Sequence, residues 1–116
     1  MRVFGGIILI GVVGFILWSC EKTKTYEIEY EVSGSSDNGY LVTYFDENNI
    51  VKQDTGANSG WKYKCNVDEH FYFYLSALTN HDTSSVSVSL LINGEIYKVS
   101  SDTGYKITST ISGYIP

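Results

Sequence analysis

Apolar and polar residues alternate along most of the chain after residue 25, and this period of two is typical of β-strands with one buried face. The segment Tyr26–Val32 shows the pattern most clearly. It places four apolar side chains on one face and Glu27, Glu29 and Glu31 on the other. This segment is therefore predicted to be a half-buried strand with an acidic outer side, and no segment after residue 25 shows a helical period.

The same alternation predicts further strands, which turn-rich segments separate. The most apolar segment, His70–Leu78, has apolar residues on both faces and is expected to be a central strand. The other predicted strands are Tyr40–Phe45, Ile50–Asp54, Trp61–Val67, a pair on either side of Asn93-Gly94, and a last one in which Tyr105, Ile107 and Ile111 share the inner face. A flexible loop is predicted at Thr55–Gly60 and a turn at Asp102–Gly104. Seven or eight strands, frequent turns and a single proline predict an immunoglobulin-like antiparallel β-sandwich.

The dipeptide Asn93-Gly94 is the strongest local signal, because both residues tolerate the positive φ that a two-residue type I′ hairpin turn demands. Such a turn also sets the register of its two strands. On the inner side we expect Ile92 opposite Glu95, Leu90 opposite Tyr97 and Val88 opposite Val99, and on the outer side Ser89 opposite Lys98 and Ser87 opposite Ser100. The apolar side is predicted to point inward and the serine side to face solvent.

The first twenty residues have a different character, since Arg2 precedes an apolar run that ends in Ser19-Cys20. This layout is typical of a bacterial lipoprotein signal peptide, in which a basic start and an apolar stretch direct export. The small Ser19 suits cleavage and attachment of lipid to the thiol of Cys20. The alternative is an uncleaved transmembrane anchor, but the run Val3–Trp18 is shorter than the roughly 20 residues that span a hydrocarbon core.

These features predict a signal peptide at residues 1–19, a tether at residues 20–25 and a β-sandwich domain at residues 26–116. We expect the domain to be attached to a membrane through acyl chains on Cys20. The predicted location is the bacterial cell envelope, with the outer membrane favoured over the inner one. The domain itself would then lie in the periplasm or on the cell surface.

The net charge of the chain limits the classes of molecule that it can bind. Thirteen acidic and eight basic residues give a formal net charge of −5. This balance argues against nucleic acid, whose phosphates require a basic surface. Once Cys20 is lipidated, Cys65 is the remaining thiol, so no intramolecular disulfide is expected. Cys65 shares its strand face with Trp61 and Tyr63 and is predicted to be buried rather than reactive.

Few residues of the chain are candidates for metal binding or catalysis. His70 and His81 are the two histidines of the chain, and they have no further ligands at the spacing of a zinc site. The segment Asp46–Asn48 lacks the regular donor spacing of a calcium loop and is predicted to be a solvated turn. The three glutamates of the first strand favour a soluble surface over the paired acids of a glycosidase. We therefore expect no catalytic residues, no metal and no cofactor.

Aromatic residues are unusually abundant, with ten Tyr, five Phe and two Trp. One small core does not hold so many, so some are expected near the surface. Trp61, Tyr63, Tyr72 and Tyr74 are the candidates for an exposed platform that binds a sugar ring or a partner protein. In the alternative interpretation, Trp61 fills the core and the tyrosines form cross-strand pairs with their hydroxyls in solvent.

Several short motifs give the chain a family resemblance. In order they are Tyr30-Glu31-Val32-Ser33-Gly34, Val42-Thr43-Tyr44, Gly60-Trp61-Lys62, Leu75-Ser76-Ala77, Ile92-Asn93-Gly94-Glu95 and Ser101-Asp102-Thr103-Gly104-Tyr105. In their order and spacing the chain resembles the MmpS-type membrane-tethered β-sandwich proteins and related small lipoproteins of Bacteroidetes-like bacteria. The resemblance runs through most of residues 26–116.

The resemblance implies a non-enzymatic extracytoplasmic domain. In mycobacterial members this domain is the small accessory partner of an RND-type exporter of lipids or siderophores. Those members have an N-terminal transmembrane helix, whereas this chain has a lipoprotein signal. We therefore expect an accessory or scaffold subunit that contacts an envelope protein complex. The alternative, which the surplus of aromatic residues favours, is a surface-displayed carbohydrate- or lipid-binding module.

Overall fold

A computed structural model describes residues 24–79 and 83–116 as eight β-strands in two antiparallel four-stranded sheets. The strands are β1 (Thr25–Gly34), β2 (Tyr40–Phe45), β3 (Val51–Ala57), β4 (Trp61–Asp68), β5 (Tyr72–Thr79), β6 (Thr83–Ile92), β7 (Glu95–Tyr105) and β8 (Thr108–Tyr114). The predicted all-β antiparallel sandwich is confirmed. The predicted signal peptide, Cys20 and His81 lie outside the described residues, and within them no helix is long and apolar enough to cross a membrane.

The first sheet has the strand order β4-β1-β6-β7, and the second has the order β3-β2-β5-β8. The central position predicted for the most apolar segment is confirmed, since β5 lies between β2 and β8. β1 is central in the first sheet. The edges of the sandwich are therefore β4 and β7 on the first sheet, and β3 and β8 on the second.

The core lies between the two sheets and follows the predicted alternation. In β1 the side chains of Ile28, Tyr30 and Val32 are fully buried, while the glutamates between them face outward. Alternate residues of the neighbouring strands meet them from both sides. The other buried apolar residues are Tyr40, Val42, Ala57, Val67, Phe71, Phe73, Leu75, Ala77, Val86, Val88, Leu90, Ile111 and Ile115.

The predicted hairpin turn forms, but the predicted register holds only next to the turn. Asn93 and Gly94 both have positive φ, and Ile92 pairs with Glu95. A bulge then shifts the pairing by one residue, so that Leu90 faces Lys98 and not Tyr97. The bulge inserts one extra residue into β7, and a one-residue slip moves the following side chains to the opposite face. The predicted inward position of Val99 is therefore wrong, and its side chain is 54% exposed.

Two further boundaries differ from the prediction. Asp102–Gly104 is not a turn, because β7 continues to Tyr105 and the chain reverses at Lys106, which has a φ of 53°. Tyr105 is consequently 61% exposed and not on the inner face. The first half of the loop predicted at Thr55–Gly60 is part of a strand. β3 extends to Ala57, because its pairing with β2 resumes at Tyr40 after a register shift.

At one end of the sandwich, two turns are hydrogen-bonded to the backbone at the start of β1. The backbone N–H of Glu69 donates to the carbonyl of Lys24 at 2.8 Å, and the N–H of Asn93 donates to the carbonyl of Glu27 at 2.8 Å. β3 begins at this end, and β8 finishes here just before Pro116. We call it the Lys24 end. A tether that joins β1 therefore enters the domain at this end.

A buried tyrosine joins the sheets at the opposite end. The hydroxyl of Tyr40 in β2 donates to the carbonyl of Ser85 in β6 at 3.1 Å and accepts the N–H of Ser36 at 3.1 Å. Gly34 leaves the space for this hydroxyl, because a Cβ at Gly34 would collide with it and with the Ser85 carbonyl. The side chain of Tyr40 is fully buried.

We expect Tyr40→Phe to lower the free energy of unfolding by about 1–3 kcal/mol, because it removes a buried hydroxyl that accepts from the Ser36 N–H and donates to the Ser85 carbonyl. Urea denaturation followed by circular dichroism measures the change. The matched control is Tyr105→Phe, an exposed tyrosine that should change stability by no more than about 0.5 kcal/mol. Equal effects of the two substitutions would contradict the role given to the Tyr40 hydroxyl.

Candidate functional site

Two of the predicted platform residues lie between the sheets. Trp61 and Tyr63 are on the inner face of β4, where they meet Tyr44 of β2 and Tyr30 of β1. The ring centroid of Tyr44 lies 5.1 Å from that of Trp61, 4.8 Å from that of Tyr63 and 5.9 Å from that of Tyr30. We call these four residues the inter-sheet cluster. Its tilted ring contacts close the open side of the sandwich along β4.

The polar tips of Trp61 and Tyr63 have partners within the domain. The indole N–H of Trp61 donates to Asp54 Oδ2 at 3.0 Å, and the hydroxyl of Tyr63 donates to Glu47 Oε1 at 2.5 Å. The latter bond raises the pKa of Tyr63 and lowers the pKa of Glu47. Because these donors are already used, Trp61 and Tyr63 are positioned to stabilise the sandwich.

A buried carboxylate holds the neighbouring turn. Asp46 accepts the backbone N–H groups of Asn48 at 2.9 Å and Ile50 at 3.0 Å, and the ammonium of Lys52 lies 3.8 Å away. The hydrogen bond from Ile50 is the main reason why the pKa of Asp46 is lowered. The predicted turn is present, but Asp46 is buried and not solvated. Its oxygens therefore order the turn that carries Glu47 to Tyr63.

Cys65 is half-buried on the inner face of β4. Burial raises the pKa of its thiol to about 12, so the thiol stays protonated at neutral pH. Within residues 24–79 and 83–116, no three side chains of His, Cys, Asp or Glu lie close enough together to hold a metal ion. The described residues thus present neither a thiolate nucleophile nor a metal centre.

The other two predicted platform residues lie on the opposite surface, the outer face of the second sheet. Tyr72 and Tyr74 of β5 are flanked by Phe45 of β2 and Tyr114 of β8. The centroid of Phe45 lies 5.3 Å from Tyr74 and 6.0 Å from Tyr72, and Tyr72 lies 5.0 Å from Tyr114. Val51 of β3 pairs with Phe45 and completes the row. We call these five residues the aromatic strip.

The two ends of the aromatic strip are open to solvent. Tyr114 is 67% exposed and Val51 is 56% exposed, whereas the three central side chains are half-buried against one another. The strip crosses all four strands of the second sheet near the Lys24 end. Contiguous exposed apolar residues are the feature by which interaction surfaces are recognised, so the strip is the candidate surface of the described residues.

The outer face that bears the aromatic strip has no charged side chain among the described residues. Its remaining outward positions are Leu41, Thr43, Gln53, Ser76, Leu78, Thr108, Thr110 and Ser112. The outer face of the first sheet is different, since Lys62 lies 3.8 Å from Glu31 and Lys64 lies 3.9 Å from Glu27. The outward positions of the second sheet are therefore uncharged, whereas those of β1 and β4 carry paired charges.

The structure does not bring the four predicted platform residues together. Trp61 and Tyr63 belong to the inter-sheet cluster, and Tyr72 and Tyr74 belong to the aromatic strip. Sequence reasoning did not identify Phe45, Val51 and Tyr114 as members of the strip. The alternation along β2 does place Phe45 on the face opposite to Tyr44, but the lateral strand order is needed to see what lies beside it.

One concave region lies apart from both groups. It has a volume of about 390 Å³ at the Lys24 end and is lined by Ile92, Asn93, Glu95, Ile96, Tyr97 and Pro116. Tyr97 lies on one side of it, with its ring centroid 6.2 Å from Phe73 in an edge-on contact. The region mixes apolar walls with the carboxylate of Glu95 and includes no predicted platform residue.

Comparison with known proteins adds no relative, since neither a family model nor a curated protein matches the chain. The aromatic strip, as an exposed apolar row on an uncharged face, is accordingly the surface from which a function can be argued.

We expect Tyr63→Phe to make the free energy of unfolding depend less steeply on pH in the acid range. Because Tyr63 lowers the pKa of Glu47, the folded chain binds fewer protons than the unfolded chain as the pH falls below the ordinary glutamate value of 4.5. The stability from this contact is present above that value and is lost as the pH falls through the lowered pKa. Removing the hydroxyl should reduce the slope of unfolding free energy against pH in this window.

Urea titrations at several pH values between about 3 and 7 measure this slope. The slope should not vanish, because Asp46 keeps its lowered pKa. Tyr105→Phe serves as the control and should leave the profile unchanged. A Tyr63→Phe profile parallel to that of the natural sequence would show that the Glu47 contact does not affect stability.

Proposed function

We propose that the protein is a non-enzymatic lipoprotein of the bacterial envelope, and that it acts as an accessory or scaffold subunit contacting a membrane complex such as an RND-type exporter. The observation that supports it best is the aromatic strip on an otherwise uncharged sheet face. The cores of protein interfaces are depleted in charge and enriched in Tyr and Phe, as this face is. Its exposed ends at Val51 and Tyr114 offer the contact surface.

The position of the strip fits a partner embedded in the membrane. Lys24 is already fixed by the N–H of Glu69, so a lipid on Cys20 would be separated from the fold by residues 21–23. An extended chain from Cys20 to Lys24 spans at most about 14 Å. The Lys24 end would then be held close to the bilayer. The aromatic strip, which lies near this end, would face the extracytoplasmic surface of a neighbouring membrane protein.

The MmpS-like resemblance supports the same proposal, because the accessory domains of that family work beside an exporter. Lipid attachment in place of a transmembrane helix would change the anchor without changing which end of the domain faces the membrane.

A carbohydrate-binding role is the second candidate, and one local arrangement favours it. The exposed ring of Tyr114 lies beside Ser112 on β8, and Thr110 Oγ1 donates to Ser76 Oγ at 3.2 Å on the same face. An aromatic ring next to hydroxyls suits the apolar and polar sides of a sugar. The rings of Tyr72 and Tyr114 are inclined by 66°, however, so they form a ridge and not a flat platform. A ridge favours a protein partner over a flat polysaccharide chain.

Crosslinking of the full-length lipidated protein in its native envelope, followed by purification, tests the accessory role. We expect a membrane complex to be recovered with the natural sequence and lost with Cys20→Ala. Tyr114→Ala should reduce recovery by about tenfold or more, as truncation of an interface aromatic typically does. The matched control is Tyr105→Ala, which removes an equally exposed tyrosine from another surface and should leave recovery unchanged.

The two candidate functions give different results. If no membrane complex is recovered with the natural sequence, the accessory role is wrong. Binding of the full-length protein to an array of envelope glycans, lost on Tyr114→Ala and kept on Tyr105→Ala, would then support the carbohydrate-binding role.

A further inference from the structure

The edge of the first sheet formed by β7 differs from the other three edges of the sandwich. β7 is the longest strand, with eleven residues, and it pairs only with β6. An edge strand presents unpaired backbone N–H and C=O groups that can template another strand. Charged side chains, bulges and covering groups are the usual means of preventing such pairing.

The other edges have such protection. On β4, Lys62 and Lys64 project from the outer face, and lysines on an edge strand disfavour pairing with another chain. On β8 the carbonyl of Ser112 accepts a hydrogen bond from Lys98 Nζ at 3.0 Å. On β3 the N–H of Gly56 is bonded by Asp54 Oδ1 at 3.0 Å. β7 thus covers its neighbour β8. β7 also carries a bulge and the charged residues Lys98 and Asp102, but these two charges have opposite signs and can pair when the strand meets a second copy of itself.

β7 also exposes apolar side chains that a partner would cover. Ile96 is 69% exposed and Val99 is 54% exposed, and both point away from the core on the outer face of the first sheet. Leu91 pairs with Ile96 and extends this apolar row to β6. A long edge strand with exposed apolar side chains is suited to addition of a further strand.

We propose that β7 pairs antiparallel with β7 of a second copy of this chain, about a two-fold axis at Ser100. In this register Lys98 of each copy lies opposite Asp102 of the other. Both residues are on the inner face, because they pair with the buried Leu90 and Val86. The two first sheets join into one continuous sheet of eight strands, which is a self-complementary interface.

The charges of β7 select this register. Moving the axis by one residue places Lys98 opposite Ser100 or Gly104 and loses both ion pairs. Moving it by two residues places Lys98 opposite Lys98 or Asp102 opposite Asp102, and like charges directly opposite each other are destabilising. Within one strand, Lys98 and Asp102 are separated by about 13 Å, too far for an ion pair. Within one copy the ammonium of Lys98 donates to the carbonyl of Ser112, and a second copy would supply a carboxylate for it.

This interface does not rest on the proposed function, because it uses the first sheet and not the aromatic strip of the second sheet. The antiparallel pairing points the Lys24 ends of the two copies in opposite directions, so the two anchors of a dimer would not lie in the same membrane surface. The full-length protein in detergent, at detergent concentrations that give far more micelles than protein, is the sample for testing it. Sedimentation equilibrium measures the dissociation constant of the dimer.

Charge reversal provides the first test. We expect Lys98→Asp and Asp102→Lys each to raise the dissociation constant about tenfold or more, since each variant creates two like-charged pairs across the axis. The double variant, with both changes, restores opposite charges and should return the constant to within about threefold of the natural value. A monomeric natural protein, or a double variant as weak as the single ones, would overturn the proposal.

A cysteine pair provides the second test and fixes the register. The Cα atoms of two residues facing each other across the axis are about 4.5–5.5 Å apart, within the range for a disulfide. We expect Ser100→Cys to form a disulfide-linked dimer on mild oxidation. Thr103→Cys is the control, because the two copies of this position would be about 20 Å apart. Cys20 and Cys65 are present in both variants, so equal crosslinking of the two would contradict the register.

Discussion

Face-to-face packing of the two sheets is the interaction on which every other feature of the domain depends. Cys65 is a free thiol, so the described residues hold together through burial and hydrogen bonds and not through a disulfide. The inner faces supply the apolar surface, and buried tyrosines connect them at both ends. Tyr40 bonds across to Ser85, and Tyr30 donates to the carbonyl of Phe45 at 2.8 Å. Each hydroxyl has a partner, because an unpaired buried polar group would cost more than the contact contributes.

Period-two patterning was enough to predict the sandwich, the inner face of β1 and the Asn93-Gly94 turn, because these depend on neighbours close in sequence. The bulge at Tyr97 was missed, since bulges are commonest in edge strands and the lateral strand order decides which strands are edges. For the same reason, only Tyr72 and Tyr74 of the aromatic strip were predicted from the sequence. Alternation places Tyr72 and Tyr74 on one face, but only the lateral order brings Tyr114 beside them.

The outer faces of the two sheets have opposite characters. Glutamates and lysines on β1 and β4 give the first sheet a charged exterior, whereas the second sheet exposes aromatic rings, hydroxyls and amides. A contact through the aromatic strip and a pairing through β7 use different sheets, but the antiparallel pairing points the Lys24 ends of the two copies in opposite directions. A pair of such domains would then carry its two aromatic strips toward opposite ends of the assembly.

The central position of β1 has a mechanical consequence. β1 is paired along its length with β4 on one side and β6 on the other, both antiparallel. A pull on the chain at Lys24 acts along the strand axis and loads both ladders in shear, so that many backbone hydrogen bonds resist together. A pull perpendicular to an edge strand would instead break the backbone hydrogen bonds of one ladder one after another. Under the proposed lipid attachment at Cys20, a pull from the membrane would therefore enter the fold through the strand that two ladders hold together.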